Sequence, residues 1–184
     1  MIQLRPLAPE DRDRLFRWRR EPEVARWMCG EEAATEEGHR VWFDAFLADP
    51  ARRGWIIERD SRPVGFLSLV GLGGCSRNAE WGWYIGEAEA RGRGAGRAAQ
   101  ALGLELAFGD LGLEKVWAAV LADNDTALKA QAAAGFRREG YLRRQLFKDG
   151  RFRDVVRLGL LAEEWRARRE PLLEDLRRAR MIPA

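Results

Sequence analysis

Between Glu80 and Phe108 the chain passes from an alternating apolar segment through a glycine-rich run into a helical pattern, and that order restricts the fold more than any other stretch. Residues 79–85 read as a strand. Arg91-Gly92-Arg93-Gly94-Ala95-Gly96 follows. From about Gly94 to Phe108 the apolar residues Ala98, Leu102 and Leu106 recur on one helix face. Gly92, Gly94 and Gly96 carry no side chain, so their backbone N–H groups can approach a ligand closely and adopt φ values closed to other residues. The run opens a helix, whose first N–H groups lack intrahelical partners and whose dipole favours an anion. Arg91, Arg93 and Arg97 add positive charge on the same rim. All three features suit a diphosphate. The alternative is a flexible surface loop with arginines. A Walker loop is excluded, because no Gly-Lys-Ser/Thr is present. A Rossmann fingerprint is excluded by the glycine spacing and by the antiparallel meander that precedes it.

The remaining sequence sets this loop in a mixed α/β architecture. Residues 2–7 alternate and are closed by prolines, so a strand is predicted. Pro9-Glu10-Asp11 suits a helix start, and Leu15, Phe16 and Trp18 give that helix an apolar face. Pro22 opens a short helical piece carrying Val24, Trp27 and Met28. Thr35 is a candidate N-cap for a helix to about Ala48. Strand patterns follow at 55–58, 64–70 and 79–85, separated by Asp60-Ser61-Arg62-Pro63 and Gly71-Leu72-Gly73-Gly74, which together read as a meander. After the glycine loop and its helix come a buried-type strand at 115–121 and a helix at 126–134. Asp123-Asn124-Asp125 caps that helix and Gly135 ends it. Strands at 136–147 and 152–160 flank a hairpin turn at Lys148-Asp149-Gly150. The tail, 163–180, is an exposed-looking helix bearing Trp165, Leu172, Leu173 and Leu176. The predicted class is α/β, a mixed sheet with helices on its faces.

At 184 residues, one domain with one sizeable core is expected. No apolar run approaches the ~20 residues that cross a bilayer. Residues 1–5 lack the charged-then-apolar order of a secretion signal. Cys29 and Cys75 form neither a CxxC nor a metal cluster, so two reduced thiols in a cytoplasmic protein without metal are expected. A net charge of +3 is too weak to argue for nucleic acid, and neither nucleic acid nor a membrane is expected as a partner. The charge is uneven, however. From Arg137 to Arg157 eight basic residues face three acidic ones. They form either a solvated hairpin or a surface that attracts an anionic substrate or cofactor.

Arg91-x-x-Gly94-x-Gly96 matches the Arg/Gln-x-x-Gly-x-Gly/Ala signature of the GNAT acetyltransferases. Asn124, Ala127 and Gly135-Phe136 stand where family members carry them. On these residues the chain resembles the GNAT superfamily over about residues 1–165, with 166–184 left as a helical tail. The resemblance implies a single-domain GNAT fold: a mostly antiparallel central sheet flanked by helices, with two strands, around 80–86 and 115–121, splayed to hold CoA. Arg91, Gly92, Arg93, Gly94, Ala95, Gly96 and Arg97 would then bind the pyrophosphate of acetyl-CoA. Backbone groups of Trp83, Tyr84 and Ile85 would pair with pantetheine, and Asn124 would hydrogen-bond the cofactor or simply cap its helix.

Acetylating an amine requires a neutral nucleophile, and a primary ammonium titrates near ~10.4. A positioned carboxylate can remove the proton, directly or through water, and Glu80, on the strand that the resemblance puts beside the cofactor, is the candidate base. The alternative is a strand-edge glutamate paired with an arginine. Many relatives carry a tyrosine acid where this chain has Gln131, whose amide does not titrate. Solvent could protonate a leaving thiolate of ordinary acidity, and Tyr84 and Tyr141 are weaker substitutes.

The resemblance implies that the N-terminal third builds the acceptor pocket. Arg19, Trp27, Met28 and His39, with Trp18, Arg26, Trp42 and Phe43, resemble the subgroup that acetylates the 4-amino group of UDP-linked amino sugars. Arginine suits phosphate and aromatic rings suit stacking. Core packing is the alternative for each residue singly. Ribosomal-protein N-termini and polyamines are alternative acceptors, so the partner is a small-molecule amine or a protein N-terminus. A homodimer is kept open, and so is a non-catalytic acyl-CoA-binding regulatory domain.

Overall fold

Short turns with residues at positive φ bring successive strands back beside one another. A computed structural model describes residues 1–28 and 35–183. In it β1 (Ile2–Pro6) pairs antiparallel with β2 (Arg52–Arg59). β2 returns as β3 (Arg62–Val70) through Asp60 and Ser61, whose φ values of 51° and 61° suit a tight hairpin. β3 pairs antiparallel with β4 (Asn78–Ile85). β5 (Lys115–Leu121) lies parallel to β4. β6 (Arg137–Lys148) and β7 (Arg151–Leu161) form the second hairpin, turned at Asp149 and Gly150. The sheet runs β1-β2-β3-β4-β5-β7-β6.

Alternation along the strands divides the interior in two, because neighbouring side chains point to opposite faces. Ile56 and Phe66 join Leu15, Trp18, Phe43 and Phe46 on one face, beneath α1 (Arg12–Arg20) and α3 (Glu36–Ala48). Ile57 and Leu67 join the larger core on the other face, beneath α4 (Ala95–Glu105). A short α2 (Pro22–Ala25) follows α1. Thr35 caps α3 as predicted, its hydroxyl accepting from Gly38 N at 3.0 Å. α5 (Asp125–Ala134) starts at Asn124, whose Oδ1 accepts from Ala127 N at 3.1 Å, and ends at Gly135 with φ 107°. The helix predicted to reach Phe108 is α-helical only to Glu105 and continues as a π-turn over Leu106–Asp110.

The tail forms α6 (Ala162–Arg178), and its exposed look in the sequence is corrected by its packing. Trp165 is 0% exposed, and its Nε1 donates to Glu105 Oε1 at 2.6 Å. Leu173, Leu176 and, beyond the helix, Ile182 are buried in the larger core. The charged residues between them occupy the outer face, so a polar composition conceals an apolar stripe. Among the described residues no helix is long and apolar enough to cross a membrane. Cys75 is an exposed free thiol, and Cys29 lies outside the described residues.

Candidate active site

The site begins where two strands part. β4 and β5 are in register at Asn78–Lys115, Ala79–Val116 and Glu80–Trp117, and at no later residue. β5 keeps its partner β7 along its whole length, and β4 keeps β3 to Ile85. Residues 81–85 of β4 and 118–121 of β5 therefore face each other across a gap, each with an edge of main-chain donors and acceptors directed into it. Glu80 sits at the fork.

A cleft of about 680 Å³ opens there, a size that suits a small ligand. Its lining runs from Arg91, Gly92 and Gly96 past Trp81, Trp83, Tyr84 and Ile85 to Asn124, Ala127 and Gln131. On the opposite side of Glu80 it continues to Arg19, Trp27, Met28 and Trp42. The sheet register explains this second half. Val70, Ser68 and Phe66 pair with Glu80, Gly82 and Tyr84, so all six share one face beneath α1–α3. The period-2 pattern of β3 carried the signal for Ser68 and Phe66, but the sequence could not say which strand adjoins them.

The glycine loop is tied at several points. Gly92 and Gly94 have φ of 70° and 79°, and Gly94 is the N-cap of α4. A Cβ on Gly96 would lie 2.8 Å from Trp83 Cζ3, so only glycine lets the first turn of α4 approach the β4 strand. Two of the three rim arginines have side chains tied by folding, and the third is engaged through its main chain. Arg91 donates to Ile85 O (2.9 Å) and Gly86 O (2.7 Å), which fixes the loop against the end of β4. The Arg93 carbonyl accepts from Arg59 Nη2 at 2.6 Å, and Arg97 pairs with Asp175 at 3.3 Å. Those carbonyls and that carboxylate hold the guanidinium groups of Arg91, Arg59 and Arg97 by charge-assisted hydrogen bonds.

Burial pushes the Glu80 carboxyl above the usual carboxylate range, and the nearby Arg157 opposes this in part. Arg157 itself stacks 3.5 Å above the Trp117 ring. Burial likewise raises the Tyr84 hydroxyl. Gln131 lines the cleft and is buried, its Oε1 accepting from Gln100 Nε2 at 3.2 Å. Tyr141 is far from this chemistry: it is exposed on β6, and its hydroxyl donates to Asp154 at 2.7 Å.

The N-terminal residues divide. Arg19 is 7% exposed and its guanidinium lies 3.9 Å from the Trp42 ring centroid. Arg26 pairs with Glu23 at 2.7 Å and Arg52 with Asp49 at 2.9 Å, and these arginines with Glu23 line the cleft. Trp27 and Met28 line it as well. His39 does not. It is 2% exposed, packed among Phe16, Trp42 and Phe43, with Nε2 2.9 Å from Arg12 O. Burial lowers its pKa and favours the neutral ring. His39 faces a separate, smaller cavity beside Arg12 and Arg40.

The residues present fit a thioester cofactor with an amide arm and a diphosphate. Trp81 Nε1, Trp83 Nε1 and Tyr84 Oη are buried, belong to residues lining the cleft, and find no hydrogen-bond partner among the described residues. Such groups are costly unless a ligand or water satisfies them. Two open strand edges and a glycine cradle at a helix N-terminus complete the match.

Comparison with known proteins agrees. The family model described as acetyltransferase (GNAT) domain matches residues 2–137. The spermidine N(1)-acetyltransferase of Escherichia coli K12 is 27% identical over 166 residues, covering 90% of this chain and 89% of its own. A Vibrio cholerae spermidine N-acetyltransferase solved with CoA and spermine aligns with a TM-score of 0.82 at 24% identity, over 89% of this chain and 97% of its own. A solved chain from T. thermophilus is 31% identical with a TM-score of 0.79, over 95% of this chain and 93% of its own. The chain belongs to the GNAT acetyltransferases, enzymes that transfer an acetyl group from acetyl-CoA to an amine.

Proposed function

We propose that this enzyme acetylates a primary amine of an alkyl polyamine, with Glu80 as the general base. The observation that carries the reading is the position of Glu80, at the fork of the strands where the cofactor half and the acceptor half of one cleft meet. Acetyl-CoA supplies the activated acetyl group as a thioester. The main-chain edge of Trp83, Tyr84 and Ile85 would orient its amide arm. The loop from Arg91 to Arg97 would take the diphosphate on backbone N–H groups, with Asn124 at the far wall. Glu80, raised by burial, accepts the ammonium proton at its carboxylate oxygen, directly or through water. Gln131 can donate a hydrogen bond but not a proton, so the leaving sulfur takes its proton from solvent.

The polyamine acceptor is supported by the spermidine acetyltransferases among the relatives. It is also supported by the pairing of Arg26 with Glu23 and of Arg52 with Asp49, which neutralises charge that would repel a polycation. The relatives favour this acceptor over the UDP-linked amino sugar. A second reading is an acceptor that carries an anionic group, such as a nucleotide sugar or a peptide N-terminus with acidic neighbours. It draws on Arg19, Arg26 and Arg52 in the same cleft wall.

Release of CoA thiol from acetyl-CoA, followed against spermidine, spermine, amino-sugar nucleotides and N-terminal peptides, tests these readings. Acceleration by spermidine or spermine is expected. A preference for the nucleotide sugar or the peptide would replace the polyamine with the second reading. No acceleration by any amine, with CoA still bound, would favour an acyl-CoA-binding regulatory domain.

A further inference from the structure

The family match ends at residue 137, yet the loop it contains is gripped by residues far beyond that point. Met181 follows α6, and its side chain lies over the N-cap of α4. A methyl group placed on Gly94 would stand 3.1 Å from Met181 Cε. The main chain of Met181 is itself fixed, its N–H donating to Leu176 O at 2.8 Å and its carbonyl accepting from Ile2 N at 2.6 Å. Ile182 is buried in the larger core, which anchors the segment from the other side. One turn into α4, Arg97 Nη2 meets Asp175 Oδ2 at 3.3 Å. The tail thus touches the loop at its left-handed glycine and at the first turn of the helix.

We infer that Met181 and Asp175 are positioning residues for the diphosphate: they hold Gly94 and the start of α4 in the conformation whose backbone N–H groups converge on the ligand. The inference rests on the reading of the glycine loop as the CoA diphosphate cradle. Its physical basis is preorganisation. A loop with two glycines at positive φ has many conformations when unsupported, and ordering it at the moment of binding weakens affinity. A methionine packed on the N-cap glycine narrows that freedom before the ligand arrives, and the exposed ion pair in the first turn of α4 adds a smaller restraint.

The test compares affinity for CoA with affinity for pantetheine, which keeps the amide arm and thiol but lacks the diphosphate. Titration calorimetry or competition against acetyl-CoA measures both, for the native enzyme and for Met181→Ala, Met181→Leu, Asp175→Asn and the double variant Met181→Ala/Asp175→Asn. None of these substitutions removes the main-chain bonds of Met181, and circular dichroism verifies the fold. The native enzyme should bind CoA more tightly than pantetheine. The double variant should weaken CoA by about fivefold, the cost of ordering one or two side-chain-sized groups, with pantetheine unchanged. Met181→Leu should retain native CoA affinity. If CoA and pantetheine weaken together, if neither changes, or if Asp175→Asn tightens CoA by releasing Arg97, the positioning role is overturned. If the native enzyme does not discriminate between CoA and pantetheine, the cradle reading itself fails, whatever the variants do.

Discussion

Gly96→Ala sets two effects of similar size against each other. Alanine is the better helix former by about 1 kcal/mol, and Gly96 does not sit at positive φ, so the backbone favours the change. The new Cβ, however, would lie 2.8 Å from Cζ3 and 2.9 Å from Cη2 of Trp83. Carbon atoms pack at about 3.5–4.0 Å, so the helix or the indole must move by roughly 0.7–1.2 Å. The indole is a rigid plane on a paired strand and cannot swing aside as a flexible chain end would. Overpacking of this kind costs about 1–3 kcal/mol, so the net change is a loss of up to about 2 kcal/mol. For a chain of this size a 1–2 kcal/mol loss lowers Tm by about 2–8 °C. The activity loss should be larger in proportion, because Trp83 lines the cleft proposed to hold acetyl-CoA and a displacement near 1 Å there costs on the order of 100-fold. Thermal unfolding and kcat/KM for acetyl-CoA measure the two effects. A variant as stable as the parent, with kcat/KM retained, would refute the claim that Gly96 is a steric requirement of the cradle.

Three further outcomes follow from the same structure. Glu80→Gln should remove the rising limb of the pH–rate profile. Because burial raises the folded-state pKa of Glu80, folded protein holds that proton more tightly than unfolded chain. Native stability therefore falls as pH climbs from the ordinary glutamate range through the raised value, and at neutral pH Glu80→Gln should melt no lower than the parent. Trp165→Ala should lower unfolding free energy in urea by about 3–5 kcal/mol, since it empties a fully buried site and strips a donor from Glu105. Gln131→Leu leaves the Gln100 amide buried without its partner and should cost about 1–3 kcal/mol, partly recovered when Gln100→Leu is added, as a double-mutant cycle in urea would record.

Local signals in the sequence were reliable where the governing interaction is local. Thr35 and Asn124 cap their helices through residues three positions on, and Gly135 ends α5 with its own φ, so each was visible in a short window. The glycine loop was legible for the same reason. Features set by long-range contact were not. The partners of the Arg91 and Arg97 side chains are main-chain carbonyls and a carboxylate brought in by folding, and Arg59 reaches the Arg93 carbonyl, none of which a short window reveals. His39 has the same composition of neighbours whether it lines a pocket or packs between Phe16 and Trp42, and only the helix rotation decides. The burial of α6 was obscured because its apolar residues are spaced across a helix dense in arginine and glutamate. Glu80 was legible as a strand residue, but its place at the fork depends on where β4 and β5 cease to pair, a fact written in neither strand alone.

That fork has a mechanical consequence. The strands of two half-sheets, β1–β4 and β5-β7-β6, pair directly at only three residue positions, while the larger core packs on both. A pantetheine arm lying in the gap would act as a transient strand and lengthen the seam. Bound acetyl-CoA would then join both halves beside Glu80, where the strands part. The wall of the cleft that lies between β4 and β5 would in that case be completed by the cofactor and not by the protein alone.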